Sequence, residues 1–174
     1  MLRTSLVYGS ISGTIVIFGI LAGLTFGTAH TNSLWFGYAV MILALSAIFL
    51  GIKRHRDDAR GGVIKFFPAL LLGLGISVVA GLIYVAVWEV YLAATHYSFM
   101  DKYVAAQIAA AKAKGLSGAA LARQIAQLDE MKVQYANPLF RLPMTFVEIF
   151  PVGVIVSLIS AALLCNPRVL PPRA

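Results

Sequence analysis

The stretch FFPALLLGLGISVVAGLIYVAVWEV, Phe66–Val90, carries a single charged side chain, Glu89, at its far end. About 20 consecutive apolar residues suffice for a helix to cross the ~30 Å hydrocarbon core of a bilayer. A helix is favoured there because each of its backbone amides and carbonyls finds a partner within the same segment. Three further stretches share this character, at about 6–26, 34–52 and 144–164. The chain has 174 residues, of which 60% are hydrophobic and 12% charged, well below the ~25% charge of ordinary soluble domains. The expected architecture is all-α. It is an integral membrane four-helix bundle forming one membrane domain over 1–174, with spans at 6–26, 34–52, 66–90 and 144–164. The first stretch is longer than the ~7–15-residue core of a secretory signal, so it is read as a retained span.

The net charge of +7 would suggest nucleic acid in a soluble protein, but here the cations flank apolar segments and set topology, so no nucleic acid is expected. Arg3, the basic loop residues Lys53, Arg54, Arg56, Arg60 and Lys65, and the tail residues Arg168 and Arg173 fall on one side, while the loop from Gly27 to Ser33 has no Lys or Arg. Both termini are therefore expected on the cytoplasmic side of an inner membrane. Trp35, Phe36 and Tyr38, with Trp88, Tyr91 and Tyr97, would share the outer interface.

The third connection, about 95–142, is long and mixed in charge. Asp101–Lys114 and Gly118–Tyr135 are rich in good helix formers. Gly115 is placed to end the first segment, Ser117 to cap the second, and Asn137-Pro138 to close it. Leu121, Ile125, Leu128 and Tyr135 recur at helical spacing, interrupted by Lys132. This predicts an extracytoplasmic helical hairpin between the third and fourth spans, docked on the bundle or on lipid.

Small residues mark a packing face. Ser5, Gly9, Ser12, Gly13, Gly19, Gly23 and Gly27 fall within about 120° of the first helix at ~100° per residue. Such a face lets a neighbouring backbone approach closely in lipid, within the bundle or across a homodimer. Gly73, Ser77 and Gly81, and Gly153, Ser157 and Ser160, repeat the pattern.

Glu89 and Glu148 are the candidates for ion or proton handling, because a charge deep in a bilayer is costly and usually retained for a purpose. On antiparallel helices they could lie at similar depth. Each also has a structural reading. Glu89 lies near the interface, and Thr145-Phe-Val-Glu148 fits a capping box in which Pro143 suits the helix entry and Pro151 bends the next turn. His30, Glu89, His96 and Glu148 could surround a divalent ion, but no pair has a ligand spacing, so no metal is expected. His55 is read as solvated. Cys165, the single cysteine, excludes an internal disulfide and is read as a small packing residue. The basic loop could meet anionic headgroups or a protein partner, although topology alone accounts for it. No nucleophile with a base, no paired catalytic acids and no phosphate loop occur, so neither an enzyme nor a cofactor is expected.

Gly51-Ile-Lys-Arg-His-Arg-Asp57 with Gly61-Gly-Val-Ile-Lys-Phe66 resembles the second-to-third-helix junction of a bacterial membrane-protein family catalogued as domain of unknown function 4199. Tyr135-Ala-Asn-Pro138 and Glu148-Ile-Phe-Pro-Val-Gly-Val-Ile-Val-Ser-Leu-Ile-Ser-Ala161 resemble its later signatures. The resemblance implies four membrane helices with an extracytoplasmic helical insertion in a bacterial membrane, and carries no activity. The expected role is a non-enzymatic component that lies in the lipid bilayer and either binds a membrane-protein partner or a second copy, or supports envelope organisation. The rival is a small transporter or proton-coupled carrier using Glu89 and Glu148.

Overall fold

The computed structural model describes residues 1–26 and 34–171. The readings that fall on Gly27, His30 and Arg173 lie outside them. The described residues form six α-helices and no strand: α1 (Leu2–Phe26), α2 (Leu34–Ala59), α3 (Phe66–Ala94), α4 (Phe99–Ala113), α5 (Gly118–Ala136) and α6 (Pro138–Leu164). Four of these, α1, α2, α3 and α6, contain segments long and apolar enough to cross a membrane. The chain divides into two compact units, Met1–Val87 with Phe146–Ala174, and Trp88–Thr145.

The first unit packs the four long helices through small residues. On α1, a Cβ at Gly9 would meet the Ile76 carbonyl oxygen at 2.9 Å, and one at Gly13 the Ala80 carbonyl oxygen at 2.8 Å. Gly19 lies against Val40, and Ser12 donates to the Ala44 carbonyl at 2.8 Å. Between α3 and α6 the fit is reciprocal. Ser157 fills the space over Gly73, Ser77 fills the space over Gly153, and the two hydroxyls meet at 3.2 Å. Each hydroxyl is also bonded to a carbonyl one turn back on its own helix, so neither is left unsatisfied in an apolar setting. Val16, Ile17, Leu45, Ile48, Leu72, Ile76 and Leu164 complete the core. Phe18, Leu43, Phe67 and Leu71 point outward and are 64–73% exposed, an apolar exterior suited to lipid.

Three expectations are corrected. Lys53, Arg54 and Arg56 lie on α2 rather than in a loop, since the helix continues to Ala59. Lys53–Asp57 at 2.6 Å and Arg54–Asp58 at 3.2 Å are i,i+4 pairs that favour continued helix. Only Arg60 and Lys65 fall in the connection, where Gly61 and Gly62 supply the positive φ of the turn. Arg56 is fully buried. It donates to Asp57 at 2.8 Å, to the Val169 carbonyl at 2.9 Å and to the Leu170 carbonyl at 2.5 Å. His55 is half-buried rather than solvated, and its Nε2 is enclosed without a hydrogen-bond partner among the described residues.

The third correction concerns α6, which begins at Pro138, not near residue 144. Proline suits the first helical position because its missing amide would have no partner there, and Asn137 Oδ1 accepts from the Leu139 amide at 3.0 Å. Thr145 is thus inside the helix. Its hydroxyl donates back to the Arg141 carbonyl at 2.9 Å, so Thr145 and Glu148 do not form a capping box.

In the second unit, α4 and α5 share a small core of Met100, Val104 and Leu128 with Phe99, Ile108, Met131 and Tyr135 around it. Gly115, at φ +84, follows the end of α4. Ser117 occupies the cap position of α5 with extended backbone, but its side chain makes no cap bond. Lys132, beside the apolar stripe, is paired with Asp101. That carboxylate holds the ammonium above the ordinary lysine range. The pair therefore contributes below that range and is lost as pH climbs through the raised value, and exposure keeps the contribution small and salt-sensitive.

The helix contacts give a direct comparison. Gly13→Ala places a methyl against a backbone oxygen that cannot rotate away, whereas Gly37 has nothing within 4 Å of its would-be Cβ among the described residues. We expect Gly13→Ala to cost about 1–3 kcal/mol and Gly37→Ala to leave stability unchanged, measured by thermal unfolding in detergent.

Candidate functional site

Glu89 stands near the C-terminal end of α3, and its carboxylate is gripped by a side chain that sequence reasoning assigned to the loop. Arg141, on the first turns of α6, donates through Nε to Glu89 Oε1 at 2.7 Å and through Nη2 to Oε2 at 2.7 Å. This bidentate geometry is the strongest arrangement available to a guanidinium and a carboxylate. The remaining Arg141 nitrogen, Nη1, donates to the carbonyls of Tyr135 at 3.0 Å and Ala136 at 3.3 Å, both at the end of α5. The Tyr97 and Tyr135 rings lie 5.3 and 5.8 Å from the guanidinium carbon, within cation–π range. Arg141 is only 3% exposed. One buried cation thus joins the end of α3, the end of α5 and the start of α6.

Aromatic packing reinforces this arrangement. Trp88 is buried, stacks on Tyr91, meets Phe99 edge-on, and donates its indole N–H to the Tyr135 hydroxyl at 2.8 Å. Beyond α3, His96 and Tyr97 adopt φ of 51° and 54°, a left-handed conformation that is uncommon for residues other than glycine. The Tyr97 amide donates to the Leu92 carbonyl at 2.7 Å, closing the helix end and placing the Tyr97 ring on Arg141.

Glu148 belongs to the other unit. It accepts from the Tyr84 hydroxyl at 3.2 Å, across α3 and α6. Each candidate carboxylate therefore has a partner on a different helix, which sequence spacing did not identify. Arg141 was the residue missed. The available signal was an arginine following Asn-Pro by three residues, placed on the first turns of any helix opened by that proline. No group of three or more His, Cys, Asp or Glu residues that could hold a metal comes together among the described residues. Gly9, Gly13 and Gly19 stand at helix contacts, and Gly23 is buried.

These features define an all-helical protein with four membrane-spanning candidates and a compact polar unit of short helices. The chain belongs to the family described as Protein of unknown function (DUF4199), whose sequence profile matches residues 7–166. No curated protein and no solved structure matches the chain.

The buried pair gives a stability prediction. Arg141→Gln strands the Glu89 carboxylate and is expected to cost about 3–5 kcal/mol. The double variant Glu89→Gln/Arg141→Gln should cost less than the two single losses added together. Protease susceptibility of the segment 95–137 in detergent provides the measurement.

Proposed function

We infer that the chain is a non-enzymatic, multi-pass component of the bacterial inner membrane, with both termini cytoplasmic and α4 and α5 on the opposite side. Its role in this reading is to bind a membrane-protein partner or a second copy, or to support envelope organisation. The observation that carries it is the way Glu89 is held. A carboxylate chelated by a buried arginine, itself bonded to two backbone carbonyls, is suited to bracing a segment rather than to exchanging protons. What it braces is a pair of short helices with polar outer residues such as Lys102, Arg123, Asp129 and Glu130. Rigid display of such a surface favours docking, because less ordering entropy is lost on binding. The basic residues around the end of α2 support the cytoplasmic assignment of that end, and the family resemblance supports the bacterial one.

Photocrosslinking from Val133, which is 74% exposed on α5, tests the reading in intact cells. One discrete adduct is expected, lost on Arg141→Gln, and an adduct with a second copy would select the homodimer. A crosslink-free monomer, alone after solubilisation in several mild detergents, would count against it. Tags at the two chain ends should both be reached only from the cytoplasmic side.

The Glu148–Tyr84 contact favours a second reading, a small transporter or proton-coupled carrier, because the carboxylate's hydrogen bond comes from a neutral hydroxyl rather than from a cation. On that reading Glu148→Gln abolishes pH-dependent flux in proteoliposomes, and Glu89→Gln does so if it too takes part. Unchanged flux in both variants removes these residues from any transport mechanism.

A further inference from the structure

Where α1 begins and α2 ends, the first unit holds a partly open cavity of about 430 Å³ lined by Arg3, Thr4, Val7, Tyr8, Ile11, Arg54, His55, Asp58 and Ala59. Its lining is divided by chemistry. Arg3 and Arg54 contribute two permanent cations, Tyr8 a hydroxyl, and His55 an enclosed Nε2 with no hydrogen-bond partner among the described residues. An enclosed imidazole nitrogen without a partner forgoes a hydrogen bond, which a ligand oxygen restores only where the ring turns toward the cavity. Asp58 is the one acidic side chain in the lining. It meets Arg54 at 3.2 Å with the two side chains 71% and 68% exposed, a contact weak enough for a phosphate oxyanion to compete for the guanidinium.

Beyond Arg3 on the same face of α1 the lining is apolar and continues along the helix. Val7 and Ile11 belong to the cavity, and Ile15 and Phe18 follow at intervals of four and three residues, so all four share one face of α1. All four are 45–66% exposed. On α2, Leu50 and Leu43 lie four and eleven residues before Arg54 on its own face, and both are exposed. A soluble phosphate would use the polar end of this arrangement and leave the apolar track unused. A molecule with a phosphate at one end and acyl chains at the other would use both.

We propose that this cavity is a binding site for the phosphate headgroup of an anionic glycerophospholipid, with the lipid's acyl chains lying along the exposed apolar face of α1. Arg3 and Arg54 bind the phosphate oxygens through charge-assisted hydrogen bonds, which arginine makes well with phosphate. Tyr8, whose hydroxyl already lies within hydrogen-bond reach of Arg54, donates a further bond from that hydroxyl, and His55 adds one if its enclosed ring turns toward the cavity. The proposal rests on the membrane-spanning reading of α1 and α2 and is independent of whether the protein docks a partner.

The test uses the full chain purified in mild detergent, with native mass spectrometry and thermal unfolding as readouts. Dioleoyl phosphatidylglycerol, dioleoyl phosphatidylcholine and inorganic phosphate are added separately. One phosphatidylglycerol should be retained per chain and should raise the unfolding temperature, with phosphatidylcholine and inorganic phosphate giving little of either. Arg54→Gln and Arg3→Gln, both at exposed positions, should each weaken phosphatidylglycerol retention about tenfold. Arg60→Gln and Lys65→Gln, which remove nearby charges outside the cavity, should not. Equal weakening by all four would mean diffuse surface attraction and overturn the site. Stabilisation by inorganic phosphate equal to that by phosphatidylglycerol would overturn the lipid assignment in favour of a soluble phosphate ester. Retention of phosphatidylglycerol and phosphatidylcholine alike would overturn the headgroup assignment. Because partner crosslinking from α5 is a separate assay, failure here leaves the docking reading standing, and failure there leaves this site standing.

Discussion

The seam between α3 and α6 is built from two glycines and two serines that exchange places: a serine of each helix sits over a glycine of the other. Within lipid, apolar side chains gain little by leaving one hydrocarbon environment for another, so helix association depends on close van der Waals fit and satisfied hydrogen bonds. The seam supplies both, because each serine hydroxyl can donate to a carbonyl of its own helix, and the two lie 3.2 Å apart, where either can instead donate to the other. The contacts of α1 with α3 follow the same logic at Gly9 and Gly13. Bulky residues are thereby left free for the outer surface.

The second unit is held by different forces. Its apolar core is small, and short helices of this length are marginal without tertiary support. Arg141 supplies part of that support by ordering three helix ends around one cation, and Trp88 contributes a packed, hydrogen-bonded aromatic cluster. The cost of burying a charge is offset because each of the three guanidinium nitrogens finds an acceptor.

Much of the architecture was legible from the chain itself. Long apolar runs identify α1, α2, α3 and α6, and helix-forming composition with Gly115 and Asn137 identifies α4 and α5. Boundaries were less legible where polar residues continue a helix. Asp57 and Asp58 lie beyond the end of the apolar run, yet they extend α2 by pairing one turn back. The start of α6 was obscured because Pro143 and the Thr145–Glu148 spacing imitate a helix entry, while the real start at Pro138 is followed by the weakly patterned Leu139–Leu142. At the candidate site, the cost of placing charge near lipid drew attention to Glu89 and Glu148. Their partners, Arg141 and Tyr84, are 52 and 64 residues away, and periodicity carries no information about pairs on separate helices.

The grip of Arg56 on the segment after α6 has a wider consequence. It holds Val169 and Leu170 through their main-chain oxygens, groups that every amino acid provides. Substitutions at Val169 can accumulate while the path of the chain stays the same, whereas Leu170, at φ 48°, stands in a left-handed conformation that not every residue adopts readily. A comparison of relatives that scores residue identity would then rate Val169 as unconstrained, although a side chain more than a hundred positions upstream helps to fix the path of the chain there.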